Sequence, residues 1–160
     1  LPQMNPGERA AIYDVMNSCL TKIHTADFEA LGLADYGKSG NYFARQISRW
    51  SRNYVAAKTT KIEPVDRLMK WLPENIPVGD QTSVVHGDFR LENMVFHPSE
   101  PTVLAVLDWE LSTLGHPYAD LAYQCMQWYM PKIAITPGLY GTDIKKLGIP
   151  SEKDYIEIVK

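Results

Sequence analysis

Apolar residues recur along the first quarter of the chain at helical spacing. Ile12, Val15, Met16, Cys19, Leu20 and Ile23 repeat every three or four positions, which predicts an amphipathic helix with that stripe turned to a core. Its start is punctuated: Asn5 suits the cap, Pro6 the first helical position, and Glu8 stands three residues after the cap, as a capping box requires. His24 closes the pattern and, beside the negative end of a helix, reads as structural. After the Gly-rich connection "LADYGKSGNY", a second helix is expected over about residues 43–57, with Phe43, Ile47, Trp50 and Tyr54 on one face and Arg45, Arg49 and Arg52 on another. A third, over about 64–72, turns Val65, Leu68, Met69 and Leu72 inward and stops at Pro73.

Beyond the polar loop "PENIPVGDQT" the rhythm shortens. "SVV" before His86, "NMVFH" and "TVLAVLDW" read as strands, and the last two, joined by "HPSEP", should form a hairpin. Helical patterns return near residues 119–129 and from Ser151 onward. The pattern predicts one mainly helical α+β unit over residues 1–160, carrying a small β-hairpin.

Composition sharpens this little. The 160 residues are 45% hydrophobic and 22% charged, enough for one sizeable core. A net charge of −3 gives no general pull toward nucleic acid or anionic lipid. No stretch approaches the roughly 20 apolar residues that span a bilayer. Cys19 and Cys125 lack C-x-x-C spacing, so they read as free thiols in an intracellular, reducing compartment, the cytoplasm if the source is bacterial. The chain starts without Met, and "SEKDYIEIVK" ends inside a helical pattern, so a fragment of a longer protein is expected.

The candidate chemistry lies in "VVHGDFRLENMVFH", residues 84–97, and in "VLAVLDWE", residues 103–110. Strands flanking the first phrase would fix the directions of Asp88 and Asn93, and the hairpin would return the chain so that Asp108 emerges beside them. Two carboxylates and an amide oxygen are hard ligands that leave room for water and phosphate, and so suit Mg²⁺. Zinc on His86, His97 and His116 is the competing assignment, and it explains less of the pattern. The order H-G-D-x-x-x-x-N, then an apolar run ending in Asp, matches the needs of phosphoryl transfer: a proton acceptor, a metal ligand, and a second acid bridging metal to nucleotide.

These two phrases resemble the catalytic loop and metal-binding segment of the aminoglycoside phosphotransferase and choline kinase branch of the protein-kinase-like fold. With "YGKSGNYFARQISRW", they are most similar to the kinase-like domain associated with acyl-CoA dehydrogenases. The resemblance implies the C-terminal lobe of that fold. It makes Asp88 the base that deprotonates an alcohol acceptor, and Asn93 and Asp108 the ligands of Mg²⁺ against the phosphates of ATP. Arg90 would stabilise the transferring phosphoryl group. It also implies a hydroxyacyl-CoA as acceptor and a dehydrogenase domain as partner.

Other residues have blander readings. His86 reads as a hydrogen-bonding strut rather than a base, and Asp120 as a helix cap or a tie on the catalytic loop. Glu92 is an exposed acid, and Glu110 is either exposed or close enough to touch an acceptor. Arg45 and Arg49, with Arg52, form either a solvated face or a receptor for CoA phosphates. No G-x-G-x-x-G loop and no strand Lys occur in the chain, so the nucleotide-holding N-terminal lobe is expected to be missing, leaving this chain alone nearly inactive. A Mg²⁺-dependent phosphate hydrolase and a non-catalytic pseudokinase-like binding module are the alternative functions.

Overall fold

A computed structural model describes residues 3–133 and 136–158. Helix α1 (Pro6–His24) begins with the expected capping box: the Asn5 side chain accepts from the Glu8 amide at 3.0 Å, and the Asn5 amide donates to the Glu8 carboxylate at 2.7 Å. Helices α2 (Tyr42–Ala57) and α3 (Glu63–Trp71) follow, then strands β1 (Ser83–Val85), β2 (Met94–Phe96), β3 (Val103–Val106) and β4 (Thr113–Gly115). Helix α4 (Tyr118–Tyr129), strands β5 (Lys132–Ile133) and β6 (Thr136–Pro137), and helices α5 (Ile144–Leu147) and α6 (Glu152–Ile158) complete the order. Among the described residues no helix is long and apolar enough to cross a membrane.

Helix α1 is buried along two sides because it separates two cores. Ile12, Met16 and Leu20 pack with Phe89 and Met94, which ties the helix to the segment carrying the candidate chemistry. Tyr13 packs instead with Cys125, Ile149 and Tyr155, and Asn17 donates to the Tyr155 carbonyl at 2.6 Å. A single-stripe reading of the sequence could not anticipate the second side, since Tyr13 and Asn17 look amphipathic or polar.

The hairpin forms as expected, with β2 antiparallel to β3 and Met94 opposite Val106. The strand before His86 has a partner that the sequence reading did not identify: β1 pairs with β4, Val84 opposite Leu114. Helices α2 and α3 depart from expectation in packing. Neither contains a fully buried residue; Trp50, on the apolar face of α2, is 58% exposed, and Leu68, expected inward on α3, is 49% exposed. The two helices share a shallow groove lined by residues such as Ile47, Met69 and Ile76, so only part of each apolar face is covered.

Candidate active site

The phrase at residues 84–97 becomes a rigid connection because alternate side chains are anchored in different directions. Phe89 is fully buried in the first core, while its neighbours Asp88 and Arg90 turn toward the surface. Burying a phenylalanine contributes roughly 2–3 kcal/mol, which sets the loop against α1. Before it, Gly87 takes a φ of 84°, a left-handed conformation that only glycine adopts readily.

Asp120, near the start of α4, holds this turn. Its carboxylate accepts from the amides of His86 at 2.7 Å and Gly87 at 2.8 Å, and it pairs with His24 Nε2 at 3.1 Å. Of the two roles considered for Asp120, the structure therefore shows the tie on the loop. His24, at the end of α1, has a structural role as expected, but its partner was not anticipated. It stands 96 positions from Asp120, and nothing local signals the pairing.

His86 is fully buried. Its Nδ1 accepts from the Asp88 amide at 3.3 Å, which leaves the proton on Nε2 to be donated to the Leu107 carbonyl at 2.9 Å. The ring thus joins the loop to the residue before Asp108 and has no nitrogen left for a metal or for proton transfer. His97 faces Ser99 and His116 accepts from the Tyr118 amide, so the three imidazoles engage separate partners. Burial lowers the His116 pKa, with Asp80 opposing.

Asp88, Arg90 and Asn93 come together. Asn93 donates its side-chain amide to the Asp88 carbonyl and to Asp88 Oδ2, both at 2.9 Å, and Arg90 Nε lies 3.4 Å from the same Oδ2. Neither partner uses Asp88 Oδ1. With the Asn93 nitrogen so committed, its oxygen is the end available to a cation. Asp108 is brought alongside through the backbone, as the Leu107 amide donates to the Asn93 carbonyl at 2.8 Å. Asp108 itself sits in the left-handed region, with φ 66° and ψ 54°, and caps nothing with its side chain. An acid tolerates that conformation at some cost.

These donors fit a hard divalent cation. They are an amide oxygen and a carboxylate on adjacent segments, both oxygen ligands. Among the described residues no group of three or more His, Cys, Asp or Glu side chains gathers as an all-protein metal site.

Tyr123 is a residue the sequence reading passed over. Its hydroxyl lies beside the Asp88 carboxylate and the Arg90 guanidinium. Burial first, then the hydrogen bond to Asp88 and its charge, push its pKa up against the opposing pull of Arg90. A signal existed, since Tyr123 stands one helical turn after Asp120 and so shares its face.

The remaining candidates lie elsewhere. Glu110 and Glu92 are exposed, Glu110 in the single turn Trp109–Leu111 and Glu92 in the turn Leu91–Asn93. Arg45 donates to the Lys38 carbonyl in the connection before α2, and Arg49 lies 5.7 Å over the Trp50 ring. Arg45 and Arg49 are thus engaged in a loop tie and a local aromatic contact, and Arg52 lines the groove between α2 and α3.

Comparison with known proteins shows the family. A family profile described as phosphotransferase enzyme family matches residues 2–136. Mouse acyl-CoA dehydrogenase family member 10 is 47% identical over 99% of the chain, and human acyl-CoA dehydrogenase family member 11 is 41% identical over 99%. The chain spans 15% and 20% of those two relatives. A crystal structure of a Ralstonia eutropha protein assigned as an aminoglycoside phosphotransferase superposes with a TM-score of 0.96 at 53% identity, over 99% of this chain and 49% of that one. The streptomycin-ATP complex of APH(2")-IIa superposes with a TM-score of 0.54 at 15% identity, over 97% of this chain and 50% of that one, a likeness of fold alone.

Proposed function

The chain belongs to the phosphotransferase enzyme family, and on that premise we propose that its parent protein is a kinase moving the γ-phosphoryl group of ATP to an alcohol on a small molecule. The observation that carries this reading is the Asp88 carboxylate, held through Oδ2 by Asn93 and Arg90 on the connection between β1 and β2. Asp88 takes the proton of the acceptor hydroxyl. The acceptor oxygen bonds to the γ-phosphorus as the bond from that phosphorus to the bridging oxygen breaks, and ADP leaves with the electron pair. Arg90 serves twice, orienting Asp88 and offering its remaining donors to phosphoryl oxygens.

Asn93 and Asp108 would hold Mg²⁺ through oxygen. When bound, the ion neutralises charge on the β- and γ-phosphate oxygens. His86 and Asp120 act through the backbone, keeping Asp88 and Asp108 in register.

The acceptor we favour is a hydroxyacyl-CoA, because the relatives named above are acyl-CoA dehydrogenase family members of which this chain spans a fifth or less. Phosphorylation would turn a poor leaving group into a good one, and a dehydrogenase domain in the same protein would be its natural partner. We assign the chain to the C-terminal lobe of the kinase domain, with the nucleotide-holding lobe outside it. In support, it spans 49% of the solved relative, and Leu104, Leu107 and Leu111 lie exposed on and after the hairpin.

The test supplies the full-length protein with ATP, Mg²⁺ and a panel of hydroxy acids and their CoA esters, and measures acceptor-dependent ADP release. Asp88→Asn should lower kcat by about 10²–10⁴. An equal rate in that variant would remove Asp88 as the base, and ADP release without any acceptor would make the protein a hydrolase.

A further inference from the structure

Beside the candidate catalytic loop the structure contains a cavity of about 510 Å³, within the usual range for small-molecule sites. Arg90 and Tyr123 line it, and both also lie against Asp88, so the cavity adjoins the carboxylate assigned to proton transfer. Its far wall is built by α4 and the segment after it. The Leu139 amide donates to the Gln127 carbonyl at 2.7 Å and the Tyr140 amide to the Met130 carbonyl at 3.0 Å, which straps residues 138–140 to the end of α4. Gly138 permits that approach, because a Cβ there would lie 1.9 Å from the Met130 carbonyl oxygen.

The chemistry of the lining selects among acceptors. Met126, Met130, Leu139, Leu147 and Ile149 supply apolar wall. Two polar groups on the wall are engaged with the protein: the Tyr13 hydroxyl donates to Gln127 at 3.0 Å, and Arg9 donates to the Leu147 carbonyl at 3.1 Å. The charged lining is Arg9, Arg90 and Lys132 against Glu92 alone. A polycationic amino sugar would meet like charge and apolar wall, whereas a hydrocarbon chain on an anionic molecule meets neither penalty.

We infer that this cavity holds the hydrocarbon chain of the acceptor, so that the enzyme selects hydroxy acids or their thioesters by the length of chain beyond the hydroxyl. This rests on the kinase reading above and goes further, by assigning the acceptor's apolar part to a site formed by α4 and residues 138–149.

The test measures kcat/KM of the full-length protein for straight-chain hydroxyacyl-CoA esters of fixed hydroxyl position and increasing tail length, with kanamycin as a polycationic comparison. A filling apolar cavity predicts a rise of roughly three- to fourfold per added methylene until the space is full. Met126, which is partly exposed, is the residue to change. Met126→Trp should flatten the rise to less than twofold per methylene, and Met126→Ala should move the optimum to longer chains, a gain that misfolding cannot produce. A flat length profile in the parent, a profile unmoved by both variants, or kanamycin outperforming every ester would overturn the inference while leaving the kinase reading standing. No phosphorylation of any acceptor would remove both.

Discussion

At the scale of single residues, the shape of the candidate loop depends on a side chain outside it, Asp120 of α4. Asp120 is buried, and its carboxylate receives two backbone amides and His24, an arrangement in which each bond is strengthened by the charge it meets. Asp120→Asn keeps the shape but turns an NH₂ group toward a donor, leaving one buried group unsatisfied. We expect a loss of about 2–3 kcal/mol in stability and at least a tenfold fall in kcat, because the His86–Gly87 turn that aims Asp88 loses its anchor. His24→Gln retains a donor for the carboxylate and should cost less than half as much. Urea unfolding and steady-state kinetics on both variants check the pair, and an Asp120→Asn enzyme with full kcat would show that the clamp does not set the loop.

At the scale of elements, what was legible in the sequence is what neighbouring residues decide among themselves. The capping box of α1 involves residues three apart, and the β2–β3 hairpin is set by two apolar runs across a short turn, so both were readable. The pairing of β1 with β4 was not, because Val85 meets Thr113 only after the whole hairpin has been laid down between them. The inward face expected of α3 is covered only in part, with Val65, Met69 and Leu72 half-buried and Leu68 exposed, because periodicity reports which side is apolar, not whether anything covers it. Asp88, Asn93 and Asp108 stand out in the sequence as candidates because their spacing is itself chemical, whereas His24 and Tyr123 join them only through folding. Gly87 lies between these cases. Its φ of 84° is strained for any other residue, and a Cβ there would lie 2.7 Å from the Leu111 carbonyl oxygen and 2.9 Å from Leu111 Cβ. Gly87→Ala should therefore push the loop away from the turn after Asp108. The expected cost is about 1–3 kcal/mol with a hundredfold or greater loss of kcat, and retention of parental activity would mean that the close packing of these two segments is not required.

At the scale of the whole molecule, the second core gives the protein an alkaline limit. Tyr13, Cys125 and Tyr155 pack in one cluster where α1, α4 and α6 meet. Burial is the leading cause of all three shifts, pushing Tyr13 up to about 12, Cys125 up to about 11, and Tyr155 upward as well. Each group loses its proton more readily in the unfolded chain, where the ordinary values are 9.0 for the thiol and 10.0 for the phenols. Above those values the unfolded state binds fewer protons than the folded one, so stability falls as pH rises. The contribution is complete below pH 9 and is lost progressively through pH 11 and 12. For Tyr13 alone the shift corresponds to about 3 kcal/mol. Tyr155 offers a way to separate this effect from general alkaline damage, since its hydroxyl is buried without a hydrogen-bond partner among the described residues. Tyr155→Phe keeps the ring that packs against Tyr13 and Trp128 while removing both the unpaired hydroxyl and its titration. It should raise stability at pH 7 by about 1 kcal/mol and shift the alkaline unfolding midpoint upward, as read by circular dichroism across pH 8–12. A variant less stable than the parent at pH 7 would show that the hydroxyl has a partner, and an unmoved alkaline midpoint would place the sensitivity with Tyr13 and Cys125.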